Sequence, residues 1–168
     1  LFNRGQTYPE LFADLPCVIG DRDTDLRRLA GMDFDAVIDP SCYFPHQMRA
    51  AVDAFRKSGV FYAFISTISV CDIDHAPVRE EDPLPAYDFD STAFTPGMGN
   101  YGPLKAACES ILLDAFGPEA AVIRPGFICG ERDHTDRFTY WPMKMHFSDE
   151  ILVPEGDFPF QFIDVRDL

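Results

Sequence analysis

Short, unbroken apolar runs alternate with stretches of helical length along this chain, and that alternation restricts its fold more than any other feature. Ala36-Val37-Ile38, Val60 to Ile65 and Ala120 to Ile123 are the clearest runs, rich in β-branched and aromatic residues. Cys17-Val18-Ile19 is shorter and is stopped by Gly20-Asp21, while Leu1-Phe2 reads as the end of a further strand. Runs that are apolar throughout, rather than on alternate residues, suit a sheet covered on both faces. Between them, Pro45 to Lys57 sets Met48, Ala51, Val52 and Phe55 on one stripe, and Gly59 follows as a stop. Leu104 to Phe116 does the same with Ala107, Cys108, Ile111, Leu112 and Ala115, ended by Gly117-Pro118. Asp23 to Ala30, with Leu26 and Leu29 three apart, predicts a shorter helix. Strands separated by such helices form parallel βαβ units, so the expected fold class is α/β, with a doubly wound parallel sheet.

Composition sets the outer bounds. One domain is the natural expectation for 168 residues, and an apolar share of 46% with 16 Phe is that of a globular chain. No run approaches the roughly 18 apolar residues of a membrane span. With 14 basic against 28 acidic residues the formal net charge is −14, which opposes a nucleic-acid partner and reads as a solvated acidic surface. The five cysteines (Cys17, Cys42, Cys71, Cys108 and Cys129) form no CxxC or Cys/His metal spacing. Reduced, mostly buried thiols in a cytoplasmic protein without a metal site are therefore expected. Residues 75–96 are rich in Pro, Asp and Glu without a period, which predicts a functional or mobile loop.

Tyr101 and Lys105 are the residues that point to chemistry. Four residues apart on a helix, they share one face. A free phenol has a pKa of about 10, and a neighbouring ammonium favours its ionised form, bringing proton transfer to a substrate oxygen within reach. Upstream, the strand ending at Ile65 runs into Ser66-Thr67-Ile68-Ser69. Hydroxyls at the carboxyl end of a parallel strand face the crevice where such sheets bind ligands, and one could hold the same substrate oxygen. Their other role is to cap or turn the chain.

Seven segments together resemble the extended short-chain dehydrogenase/reductases, the NAD-dependent epimerase/dehydratase group. They are Leu1-Phe2-Asn3-Arg4-Gly5, Gly20-Asp21-Arg22-Asp23, Asp35 to Asp39, Phe64 to Val70, the Tyr101/Lys105 pair, Arg124-Pro125-Gly126 with Gly130 and Asp133, and Phe162 to Leu168. The resemblance implies a Rossmann-like NAD(P)-binding domain over 1–168, with the start of a substrate-binding region at about 130–160. It assigns Tyr101 as the catalytic acid/base and Lys105 as its partner, which also holds the nicotinamide ribose. Thr67, with Ser66 as the alternative, matches the hydroxyl that positions the substrate oxygen. Arg4 stands where NADP-dependent members contact the 2′-phosphate, and the Arg fork suits a phosphate. Asp21 matches the residue at the adenine amino group, and Pro125-Gly126-Phe127-Ile128 the loop passing the nicotinamide, with Ile128 against the cofactor. NADP is thus the implied cofactor, NAD the alternative, and a homodimer an implied assembly.

Departures from the family pattern bear on the same expectations. The first strand and its Gly-rich GxxGxxG turn, on which the pyrophosphate rests, would precede Leu1, and a substrate-covering part would follow Leu168. The Rossmann-like sheet is accordingly expected to be incomplete, with a gap beside the strand at Ala36. Asp39-Pro40-Ser41 replaces a small apolar or His-containing segment, Cys71 takes a place usual for Tyr, and Pro103 places the helix start near Tyr101. Phe138, Tyr140, Trp141 and Phe147 read as packing core on a helix. Glu80-Glu81-Asp82 reads as a solvated loop. Two other readings stand beside an epimerase, dehydratase or reductase: a non-catalytic Rossmann-like protein that binds a nucleotide, RNA or protein, and an inactive fragment.

Overall fold

Each apolar run of the first 124 residues becomes a parallel strand, the arrangement that βαβ connections require. The computed structural model describes residues 1–56, 59–71, 78–84, 100–133, 135–153, 155–156 and 160–168. In chain order the elements are β1 (Phe2–Asn3), β2 (Val18–Ile19), β3 (Ala36–Asp39), α1 (Pro45–Phe55), β4 (Phe61–Ile65), α2 (Tyr101–Phe116), β5 (Ala120–Ile123), β6 (Phe127–Cys129), α3 (Tyr140–Phe147) and β7 (Phe162–Asp164). They fall into two compact units, Leu1–Arg124 and Pro125–Leu168. Most of the stretch 75–96 lies outside the described residues.

In the first unit, β3, β4 and β5 form a parallel sheet with β4 at its centre, and β1 pairs with β2 in a separate parallel pair. Register places Val37, Tyr62 and Ala120 on one face, followed by Asp39, Phe64 and Val122. This face meets α1 and α2 through Met48, Ala51, Phe55, Cys108, Leu112 and Phe116. Phe64 has no exposed surface, and its burial contributes roughly 2–3 kcal/mol. The opposite face is apolar but open: Ile38 is 73% exposed and Phe61 44%. Continuous apolar strands therefore reflect two apolar faces, of which α1 and α2 cover one.

One predicted helix is replaced by a turn, and another starts where Pro103 places it. Around Leu26 the chain makes only a 3-10 turn, Leu26–Leu29, instead of a helix over Asp23 to Ala30. Residues three apart eclipse in 3-10 geometry, so a single turn already buries both leucines. Helix α2 begins at Tyr101, three residues before the apolar stripe. Pro103 fits there because the first turn's N–H groups lack helical acceptors in any case. At the other end Gly117 adopts φ +55°, a left-handed conformation that ends the helix without a Cβ penalty.

A buried carboxylate fastens the β1–β2 pair to the larger sheet. Arg22, just beyond β2, binds Asp39 at the end of β3 in a forked geometry, with Nη1 to Oδ1 at 2.6 Å and Nη2 to Oδ2 at 2.7 Å. The Tyr62 hydroxyl donates to Oδ2 at 2.6 Å and the Ser41 amide to Oδ1 at 3.1 Å. Burial alone pushes the Asp39 carboxyl up, but these donors, Arg22 first, outweigh it and hold it below the ordinary carboxylate range. Burial and the same carboxylate push the Tyr62 phenol up.

The second unit pairs β6 with β7 in parallel, Phe127 opposite Phe162. None of the residues of α3 is buried: Trp141 is 40% exposed, Tyr140 52% and Phe147 72%. The expected packing core is thus an open aromatic surface, because a unit this short cannot enclose so many large rings.

Replacing Asp39 by Asn is expected to cost about 2–4 kcal/mol at neutral pH, since the guanidinium of Arg22 then stays buried beside a neutral amide. The native carboxyl pKa lies below the unfolded value of about 3.9. Its contribution is therefore present above that value and disappears as pH falls through the native pKa. Urea unfolding of both proteins between about pH 7 and pH 3 should show the gap closing on acidification; a gap that stays constant would refute the assignment.

Candidate functional site

The carboxyl end of β4 gathers three of the sequence-derived residues. Ile65 ends the strand, and Ser66 and Thr67 follow, both buried. Thr67 caps a 3-10 turn, Ile68–Val70, its Oγ1 accepting from the Ser69 amide at 3.2 Å and lying 3.2 Å from the Ser69 hydroxyl. The first turn of α2 lies directly on this segment. At Gly102 an added Cβ would stand 1.9 Å from the Ser69 carbonyl oxygen, so only glycine admits the approach. Tyr101 is thereby set beside the hydroxyl turn, and Lys105 follows one helical turn later.

Lys105 is 1% exposed. Its Nζ donates to the carbonyls of Ile65 at 2.7 Å and Cys42 at 2.8 Å, 4.1 Å from the centre of the Phe64 ring. Burial pulls its pKa below the ordinary lysine value, against the raising effect of nearby acidic groups. Tyr43 completes the group. Its ring lies 6.3 Å from that of Tyr101 and 5.3 Å from Lys105 Nζ, and it remains 47% exposed. Gln47, in the first turn of α1, holds this loop by accepting from the Tyr43 amide at 3.0 Å and the Phe44 amide at 3.3 Å. Tyr43 went unread in the sequence because nothing in spacing links residue 43 to residue 101.

A second buried charge lies one turn beyond Lys105. Glu109 has no exposed surface and accepts from the Ser66 hydroxyl and from Arg124, whose Nη2 is 2.7 Å from Oε2 and whose Nε is 3.2 Å from both oxygens. Arg124 also donates to the Glu80 carbonyl at 3.1 Å. Bonding to Glu109 is the main reason its pKa is raised. The signal for this cluster was a carboxylate on the apolar face of α2, four residues after Lys105. Cys42 and Cys108 meet in the core with their sulfurs 4.0 Å apart; that contact and burial push the Cys42 thiol up.

The remaining sequence-derived residues stand elsewhere. Arg4 is exposed after β1, and no acidic side chain pairs with it among the described residues. Asp21 follows β2, where its Oδ1 accepts from the Asp23 amide at 2.9 Å and its own amide donates to Asp25 at 2.9 Å. Arg22 ties this end of β2 to the end of β3, so both lie toward a carboxyl edge. Ile128 is in β6 of the second unit, paired with Ile163. Among the described residues no group of His, Cys, Asp or Glu could hold a metal ion. No described helix is long and apolar enough to cross a membrane.

No family model matches the chain, and no curated protein matches it in sequence. Among solved structures it is similar to the UDP-N-acetylglucosamine 4-epimerase from Bacillus cereus, with a TM-score of 0.66 at 17% identity. The match covers 92% of this chain and 57% of that one, so the chain spans little more than half the length of that structure. At this identity the likeness is one of fold, and the fold is α/β and Rossmann-like.

An ordinary Gly→Ala change inside a helix gains about 1 kcal/mol. Gly102→Ala should instead destabilise the protein by about 1–3 kcal/mol, because its methyl meets a backbone carbonyl rather than a movable side chain. Thermal and urea unfolding measure the sign, and a more stable variant would overturn the close approach described for α2.

Proposed function

We propose that this chain carries the proton-transfer residues of an NADP-dependent oxidoreductase, epimerase or dehydratase of the short-chain dehydrogenase/reductase kind. Its substrate would be a small carbonyl or alcohol, with nucleotide sugars among the candidates. The observation that carries this reading is the close approach of Gly102, next to Tyr101 in the first turn of α2, to the Ser69 carbonyl beyond the central strand's carboxyl end. The likeness in fold to a UDP-N-acetylglucosamine 4-epimerase supports the same class.

Tyr101 would move the proton on the substrate oxygen, donating it in reduction and taking it in oxidation. Thr67 would orient that oxygen. Ser66 is the poorer choice because its hydroxyl already donates to Glu109. The Lys105 ammonium, one turn beyond Tyr101, favours the phenolate. Among the described residues its N–H groups donate to the Ile65 and Cys42 carbonyls, and contact with a ribose hydroxyl would require the cofactor to reach this buried group. Bound NADP would supply the hydride acceptor or donor at its nicotinamide. Arg4 would hold the 2′-phosphate, Asp21 the adenine amino group, and Ile128 would border the nicotinamide, with NAD as the alternative cofactor. Residues 130–160 would begin the substrate-binding region, and a cytoplasmic homodimer completes the reading.

Titrating the intact protein with NADPH and NADH by nicotinamide fluorescence tests the cofactor half. NADPH should bind more tightly, and Arg4→Ala should erase about a tenfold part of that preference. Absence of NADPH binding would favour a non-catalytic binding protein and end this reading. In the active protein, Tyr101→Phe should lower turnover by about 10²–10⁴ while NADPH still binds. Unchanged turnover would remove Tyr101 from the mechanism.

A further inference from the structure

An open cleft of about 470 Å³ lies wholly within the second unit, a size ordinary for a small-molecule site. Its walls are aromatic: Phe127 from β6, Tyr140 and Trp141 from the start of α3, and Phe160 just before β7. The rings support one another, with Phe127 and Phe160 centroids 5.1 Å apart and those of Tyr140 and Trp141 5.2 Å apart. Trp141 and Phe160 nevertheless remain 40% and 59% exposed. Large rings left open beside a concavity are a surface that a ligand can cover.

One cation stands in this aromatic wall. The Arg137 guanidinium lies over the Phe127 ring, 4.4 Å from its centre, and its Nε donates to the Thr135 hydroxyl at 2.9 Å. Thr135 is held in turn by Asp133, whose Oδ1 accepts from both the amide and the hydroxyl of Thr135. The guanidinium is thus oriented from two sides. Among the described residues no carboxylate pairs with it, so its terminal N–H groups stay open to an acceptor. In a chain of net charge −14, an anion would find little other attraction.

We infer that this cleft binds a planar aromatic anion, its ring stacked among Trp141, Tyr140 and Phe160 and its anionic group on Arg137. Aromatic walls favour a flat ring over a saturated one of equal size. The guanidinium fork favours a carboxylate or phosphate over a neutral polar group. Asp136 on the same rim opposes the anion, so Asp136→Asn should tighten binding. The cleft falls in the stretch that the proposed function gives to substrate, but the inference rests on residues of the second unit alone, and its test reads binding rather than turnover.

Trp141 is the sole tryptophan, so emission excited at the red edge of its absorption reports on the cleft alone. The intact protein should be titrated with 4-methylbenzoate, with 4-methylcyclohexanecarboxylate as the saturated anion and 4-methylbenzyl alcohol as the neutral ring. Saturable change is expected with the benzoate, at an affinity about tenfold or more above either control. Arg137→Gln should reduce the benzoate to the level of the alcohol while leaving the alcohol's own affinity and the unfolding midpoint unchanged. That last comparison separates a lost contact from a lost fold. No saturable response to the benzoate, equal binding of the saturated acid, or a preference that survives Arg137→Gln would each overturn the inference.

Discussion

The candidate site depends on a lysine that is almost wholly removed from water. Lys105 at 1% exposure must find acceptors, because an unpaired buried ammonium costs several kcal/mol. It finds them in the carbonyls of Ile65, which ends β4, and Cys42, just beyond β3. One side chain thus joins α2 to the ends of two strands. The position of Tyr101, one turn earlier on the same helix, follows from that attachment and from the contact at Gly102.

Among the described residues, three buried charges lie toward the carboxyl side of the first unit, and each is matched differently. Asp39 takes a forked arginine and a phenol, Glu109 takes an arginine and a serine hydroxyl, and Lys105 takes only backbone carbonyls. The first two are closed arrangements in which the named donors face a carboxylate. Lysine has three donors, and among the described residues these carbonyls occupy two while the Phe64 ring lies 4.1 Å from Nζ.

Much of the architecture was legible in residue order. Continuous apolar runs and the stripes of α1 and α2 imply parallel strands with helical crossovers, and those elements are present within a few residues of their expected limits. The turn at Leu26 was misread because leucines three apart satisfy both a helix and a single 3-10 turn, and only packing chooses between them. The aromatic run at α3 was misread for the opposite reason. Hydrophobicity indicates what prefers to be buried, but not whether the surrounding unit has enough chain to bury it.

The sequence by itself determined the class of fold and the placing of Tyr101 and Lys105 four residues apart on one helix, since both rest on local pattern. It also contained the hydroxyls after β4, whose position at a strand end is a matter of chain order. Tertiary structure decided which hydroxyl stays uncommitted to a buried carboxylate, by aiming Ser66 at Glu109 and leaving Thr67 in the turn. It decided likewise that Tyr43 joins Tyr101 and that Arg22 reaches Asp39 across separate sheets. These contacts, Arg22 with Asp39, Ser66 with Glu109 and Tyr43 with Tyr101, join residues 17 to 58 apart in sequence, where no short-range period operates. They arise only when burial forces each polar group to find a partner.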